Sequence, residues 1–301
     1  MKQNYLITVV GPTAIGKTAL SIRLANHFKT DIVSSDSRQF YSEMNIGTAV
    51  PSTKELKQAK HHFIQNRSIH DDYSVGAFEK DAVLLLNKLF KNNDYVIMAG
   101  GSGLYVDAVT IGLDDFPEID PEIRINLKKT LDTEGIEMLQ QELKKLDPVS
   151  FERIDIHNKQ RLIRALEICI GSELPFSHYL GLHQKKRDFN SLKIGLTTKR
   201  EVVYERINQR VDIMIKEGLV EEARRLYSFK DLNALQTVGY KELFQHFDGE
   251  LSLEEAVEAI KRNTRRFAKR QGTWFRRDPN IKWFDFQTPA EEIIRYLDQE
   301  K

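Results

Sequence analysis

Apolar residues fall into two rhythms along this chain. Four short unbroken runs, YLITVV (5–10), DIVSS (31–35), YVIMAG (95–100) and LKIGLTT (192–198), lack the alternation of a strand with one wet face. Each is followed by a stretch with helical spacing, so the pattern predicts parallel strands buried on both faces. A fifth run, IKWFDF (281–286), precedes a terminal helix that opens at TPAEE. Strands alternating with helices imply an α/β fold around a central parallel sheet. Between Phe116 and about Ser191 the rhythm changes to helix after helix with no strand candidate. DPEIRINLKKTL starts with Asp120 at the N-cap and Pro121 at the first helical position. NKQRLIRALEICI carries apolar residues at helical spacing. The expectation is a core domain formed by 1–115 and 192–301, interrupted by an all-helical insertion domain at 116–191, with 199–277 helical and completing the core.

Behind the first strand lies GPTAIGKT, residues Gly11, Pro12, Thr13, Ala14, Ile15, Gly16, Lys17 and Thr18. It fills every fixed position of G-x-x-x-x-G-K-[ST], a string expected by accident in about one chain in a hundred of this length. A strand precedes it and the amphipathic KTALSIRLANHF (17–28) follows. That context predicts a P-loop NTPase-like core, in which glycines let backbone N–H groups curl round an anion at a helix N-terminus. Lys17 neutralises charge there, and the Thr18 hydroxyl suits a Mg²⁺ ligand. A glycine-rich turn with no ligand is the bland alternative. A nucleotide-hydrolysing machine also wants an Asp at the end of a neighbouring strand. Here YVIMAG runs into GGSG, which argues against a motor ATPase or a GTPase switch.

The carboxylate lies after the second strand instead, as Asp36 in SSDSRQFY. Ligands of doubly wound sheets bind outside the carboxyl ends of the strands, so Asp36 should share the crevice and can act as a proton acceptor. Capping of the next turn is its structural alternative. Arg206 and Arg210 stand at i, i+4 after the fourth strand and can clamp phosphates from one helical face. Pairing with Glu201 and Glu205 is the competing reading. At this level the residues describe a P-loop group-transfer enzyme, and a small-molecule kinase using ATP satisfies them equally.

Composition and charge narrow the choice. With 301 residues and 41% hydrophobic content the chain can bury a full core. No stretch approaches 18 consecutive apolar residues and no leader pattern stands at the N-terminus, so a cytoplasmic protein without membrane contact is expected. The single cysteine, Cys169 in ALEICIGS, rules out a disulfide framework and reads as core packing. The net charge of +1 hides an acidic DDFPEIDPE (114–122) and a basic stretch, 261–277, with eight Lys or Arg in seventeen residues. Within it Arg262, Arg266, Lys269 and Arg270 can share a helical face, with Phe267, Trp274 and Phe275 interleaved. Basic groups track a nucleic-acid backbone and aromatics stack on unpaired bases. Core aromatics beneath a solvated basic face would give the same string. A non-enzymatic RNA-binding module would leave the cradle and Asp36 without a role.

From end to end the chain resembles the bacterial tRNA dimethylallyltransferases, also called tRNA isopentenyltransferases. The matching motifs are GPTAIGKT (11–18), DSRQFY (36–41) with MNIGTA (44–49), HHF (61–63), YSVGAFEKDA (73–82), GGSGLY (100–105), RLIRALEI (161–168), QTVGYKE (236–242) and TRRFAKRQGTWFRRD (264–278). The resemblance implies transfer of the dimethylallyl group of dimethylallyl diphosphate to N6 of the adenosine at tRNA position 37, in tRNAs reading codons that start with U. It implies that the cradle, Lys17, Arg210 and a Mg²⁺ near Thr18 hold the departing diphosphate, and that Asp36 is the base. By motif, Asp36, Ser37, Arg38 and Gln39 should meet the flipped nucleotide and its neighbours. Gln160, Arg161, Leu162, Ile163 and Arg164 should contact the anticodon stem-loop, with Ser102 and Arg124 as further tRNA contacts. A monomer is expected. Val50 stands where the family usually has Lys, and HHFIQ lacks an Asp often seen there; neither departure touches the chemistry.

Overall fold

A computed structural model describes residues 3–181 and 185–300. Its six strands are β1 (Tyr5–Val10), β2 (Ile32–Ser34), β3 (His61–His62), β4 (Tyr95–Ala99), β5 (Asn190–Thr197) and β6 (Ile281–Asp285), in one sheet of order β3-β2-β4-β1-β5-β6. Every pairing is parallel. Five of these are the apolar runs of the sequence. The two-residue β3 is too short to leave a periodic signal, and β5 begins ahead of its apolar run.

All six residues of β1 are buried. Ile7 and Val9 join one core and Leu6 and Val10 another, which is why the strand reads as a continuous apolar run. On the first face pack α1 (Lys17–Phe28) and helices of the C-terminal half. The short α2 (Thr53–Leu56) follows β2, and α3 (Val75–Leu89) and α4 (Gly103–Thr110) cover the opposite face.

The chain divides into two compact units, one of residues 1–110 and 187–301, the other Ile111–Lys186. The second unit holds α5 (Pro121–Glu134), α6 (Ile136–Leu146), α7 (Pro148–Arg153) and α8 (Lys159–Ser172) and no named strand among its described residues. Asp120 caps α5 through the Glu122 N–H, with Pro121 at the first position. Leu139, Leu143, Leu162, Leu166 and Cys169 form its interior. This unit starts and ends slightly earlier in the chain than the change of rhythm at 116–191 indicates. Its boundaries are set where packing changes partner, a few residues from where the pattern changes.

The first unit continues through α9 (Arg200–Lys216), α10 (Leu219–Leu226), α11 (Tyr240–Phe247), the 23-residue α12 (Leu253–Phe275) and α13 (Ala290–Gln299). Helices α9 to α12 share a separate apolar cluster around Leu219, Leu235, Tyr240 and Leu243. Among the described residues no helix is long and apolar enough to cross a membrane.

Candidate active site

The carboxyl ends of β1, β2 and β4 deliver three loops to one rim of the sheet, where doubly wound folds hold their ligands. After β1 the chain turns at Gly11, whose φ of 143° is a glycine conformation; a Cβ there would stand 2.7 Å from the Leu196 carbonyl oxygen. Ala14 is left-handed, and Gly16 caps α1 at φ 110° with no side-chain hydrogen bond. The first N–H groups of α1 are thus not satisfied by a capping side chain and suit an anion. Lys17 Nζ donates to the carbonyls of Gly11 (3.1 Å) and Pro12 (2.9 Å). Burial pushes its ammonium down to about 8, against the pull of the Asp36 carboxylate and with the help of the Arg210 guanidinium.

Two helical arginines close over this loop. Arg206 Nε donates to the Ala14 carbonyl (2.7 Å), and an Arg210 guanidinium N–H donates to Thr13 Oγ1 (3.3 Å). Burial lowers the pKa of Arg210, opposed chiefly by Asp36. The carboxylates that could have claimed the pair are engaged elsewhere: Glu205 accepts from Gln209 (2.8 Å) and Glu201 pairs with Arg200 (3.7 Å). Of the two sequence readings, pairing with Glu201 and Glu205 is not the one realised: both arginines turn towards the loop.

Asp36 stands two residues beyond β2. One of its carboxylate oxygens accepts the Arg38 N–H (3.1 Å), so the turn-capping alternative is also realised. The residue nevertheless faces two cavities of the first unit. One, of about 1010 Å³, runs from Gly16, Lys17 and Thr18 towards Ser52 and Glu55. The other, of about 1070 Å³, is walled by Gln236, Lys241, Arg266, Phe267, Arg270 and Trp274. Thr13, Asp36, Thr48, Ala49, Arg210 and Met214 line both, which makes Asp36 part of a shared wall.

The neighbours of Asp36 are held by the fold itself. Ser102 Oγ accepts the Ser37 N–H and its hydroxyl donates to Ser37 Oγ, both at 3.1 Å. Arg38 donates to the carbonyls of Asn233 (2.9 Å) and Ala234 (3.0 Å), and Gln39 Nε2 donates to those of Thr48 (3.2 Å) and Ala49 (3.0 Å). These side chains brace the walls as well as lining them.

Within the helical unit, Arg124 and Arg164 converge on the buried Glu167 at 2.8 and 3.1 Å, and Arg124 also donates to Gln160 (3.4 Å). Gln160 and Arg161 are exposed and Arg164 partly so. Leu162 and Ile163 are 0% and 1% exposed, inside the core of the unit. The motif expectation is corrected there: on an amphipathic helix two of five consecutive residues face inward, and these side chains are closed to a partner. A second correction concerns the basic stretch. Phe275 is core, Trp274 donates its indole N–H to Asp107 (2.8 Å) under the Arg277 guanidinium, and Phe267 alone of the three aromatics is exposed.

Two buried polar groups went unread in the sequence. Gln271 Oε1 accepts the Thr13 N–H and its Nε2 donates to the Gly101 carbonyl, both at 2.9 Å. Glu222 accepts backbone N–H groups from Asn45 (3.1 Å), Ile46 (2.9 Å) and Gly47 (2.9 Å) and the Tyr240 hydroxyl (2.7 Å), fastening the loop that carries Thr48 and Ala49. Each is a polar residue on an otherwise apolar helical stripe: Gln271 between Ala268 and Phe275, Glu222 among Leu219, Ala223 and Leu226. That interruption is the signal that could have found them.

Among the described residues no three His, Cys, Asp or Glu side chains are grouped to hold a metal ion. The Thr18 hydroxyl, a hard oxygen on the cavity wall beside the cradle, fits a Mg²⁺ whose other ligands are phosphate oxygens and water.

Residues 39–278 match the family model described as IPP transferase. A tRNA dimethylallyltransferase of Flavobacterium johnsoniae is 58% identical over 300 residues, covering 98% of this chain and 97% of that protein. One from Christiangramia forsetii is 58% identical over 295 residues, covering 98% of each. Among solved structures, the tRNA isopentenylpyrophosphate transferase of Bacillus halodurans superimposes with a TM-score of 0.73 at 37% identity, covering 99% of this chain and 96% of that one. The family model, the near full-length relatives and the superimposed structure agree, and the chain belongs to the IPP transferase family.

Proposed function

We propose that this protein transfers the dimethylallyl group of dimethylallyl diphosphate to N6 of adenosine 37 in tRNAs that read codons starting with U, releasing diphosphate. The observation that carries this reading is Asp36 on the wall shared by two cavities, one lined by the glycine-rich loop with Lys17 and Thr18 and the other basic and aromatic. In the reaction the allylic C–O bond breaks, a C–N bond forms to the exocyclic nitrogen, and a proton leaves that nitrogen for the Asp36 carboxylate. Negative charge grows on the departing diphosphate, where Lys17, Arg210 and the N–H groups of Gly16 to Thr18 await it. The adenine must leave its stack to reach Asp36. Phe267, Trp274 and Arg270 on the second cavity suit an unstacked base and its phosphates. When bound, Mg²⁺ would neutralise diphosphate charge beside Thr18.

The exposed Gln160 and Arg161, with Arg124 and Arg164, are assigned to the anticodon stem-loop. The protein is proposed to act as a cytoplasmic monomer. The family match favours prenyl transfer over an ATP-dependent kinase. The test is incubation of the purified protein with labelled dimethylallyl diphosphate and tRNA, followed by mass spectrometry of the nucleosides, with labelled ATP in a parallel arm. Dimethylallyladenosine supports the reading. Label transfer from ATP alone, or no modified nucleoside, refutes it.

A further inference from the structure

Gln271 is the only polar residue among those α12 buries, at 6% exposure. Its amide spans two glycine-rich loops: the oxygen takes the cradle's Thr13 N–H and the nitrogen reaches Gly101 after β4. Gly101 leaves no room for anything else, since a Cβ there would lie 2.1 Å from Gln271 Nε2 and 3.8 Å from Lys17 Nζ. Flanking Gln271 on the same helix, Phe267, Arg270 and Trp274 face the second cavity. The residue it holds, Thr13, is also the partner of Arg210.

We propose that Gln271 is a positioning residue for group transfer, fixing the diphosphate cradle and its arginine clamp to the helix that faces the nucleic acid. The proposal rests on the prenyl-transfer reading. An amide meets both demands, because one end accepts and the other donates. A carboxylate of the same shape sets an oxygen against the Gly101 carbonyl, and an apolar chain leaves a buried donor and acceptor unpaired. Either change frees Thr13 and loosens the cradle while leaving the exposed face of α12 as it was.

The test uses the full chain and an anticodon stem-loop RNA. Gln271→Glu and the similarly sized Gln271→Met are compared with wild type for thermal unfolding, for RNA affinity by fluorescence anisotropy, and for donor KM and kcat at saturating RNA. The expected result is RNA affinity within about twofold of wild type and a donor KM raised about tenfold or more, the loss expected for an unpaired buried polar group. An unchanged donor KM and kcat, or weakened RNA binding with donor KM preserved, overturns the proposal. Failure of both variants to fold overturns it too, since the residue would then be a folding determinant. A wild-type protein that transfers no prenyl group removes the functional reading itself, an outcome distinct from active variants indistinguishable from wild type.

Discussion

Lys17 sets opposite pH dependences for donor binding and for stability. Its ammonium sits against two carbonyls and is lowered by burial from its ordinary 10.5 to about 8. A diphosphate in the cradle favours the protonated form, so donor affinity falls as the free protein loses this proton. The protonated fraction drops about tenfold between pH 7 and pH 9, and the association constant should follow it. Titration calorimetry with an unreactive thiodiphosphate analogue, without RNA, reads this without interference from titrating bases. Stability moves the other way. The folded-state value lies below the unfolded one, so between about pH 8 and 10.5 the unfolded chain binds the extra proton and folding gains as pH rises. At about 1.4 kcal/mol for each pH unit, the gain over a Lys17→Met variant approaches roughly 3 kcal/mol by urea unfolding. Donor affinity flat from pH 7 to 9, or an equal decline in Lys17→Met, would refute the assignment.

Further outcomes follow from the same geometry. Asp36→Asn should lower transfer by about 100-fold or more in single-turnover assays, the usual weight of a positioned base, with stem-loop affinity little changed; near-normal turnover would remove Asp36 from its role. If Arg262, Arg266, Lys269 and Arg270 each neutralise a phosphate, RNA binding should weaken on the order of 100-fold between 0.05 and 0.2 M salt, and a salt-independent titration would dismiss the basic face. Glu222→Ala leaves three backbone N–H groups and the Tyr240 hydroxyl without their buried acceptor, and should cost about 3 kcal/mol in chemical unfolding. A loss within 0.5 kcal/mol would show the loop to be held by other contacts.

What could be read directly was whatever a local pattern encodes. The cradle is a contiguous string, Asp36 follows a strand, and Arg206 and Arg210 are one helical turn apart, so spacing marked them as candidates for one rim while leaving capping and glutamate pairing open. Five of the six strands of the parallel sheet follow from apolar runs, while the two-residue β3 left no such signal. Partners distant in sequence were hidden. Gln271 meets Thr13 across 258 positions and Glu222 meets Gly47 across 175, and neither pairing leaves a periodic trace. Leu162 and Ile163 show the converse, since a motif marks a segment while only packing says which of its side chains face outward.

The placement of β1 has a consequence for synthesis. Its two neighbours are β4 and β5, the latter starting at Asn190, and Gly11 lies against the backbone of Leu196. A nascent chain can pair β1 with β4 early, but the other edge of β1 and the backbone behind the cradle stay uncovered until β5 has left the ribosome. At cellular elongation rates that wait is on the order of ten seconds or more. Residues 111–186, whose contacts are local, can settle during it. Anion binding should thus appear late and abruptly in a series of lengthening chains, with the arrival of β5.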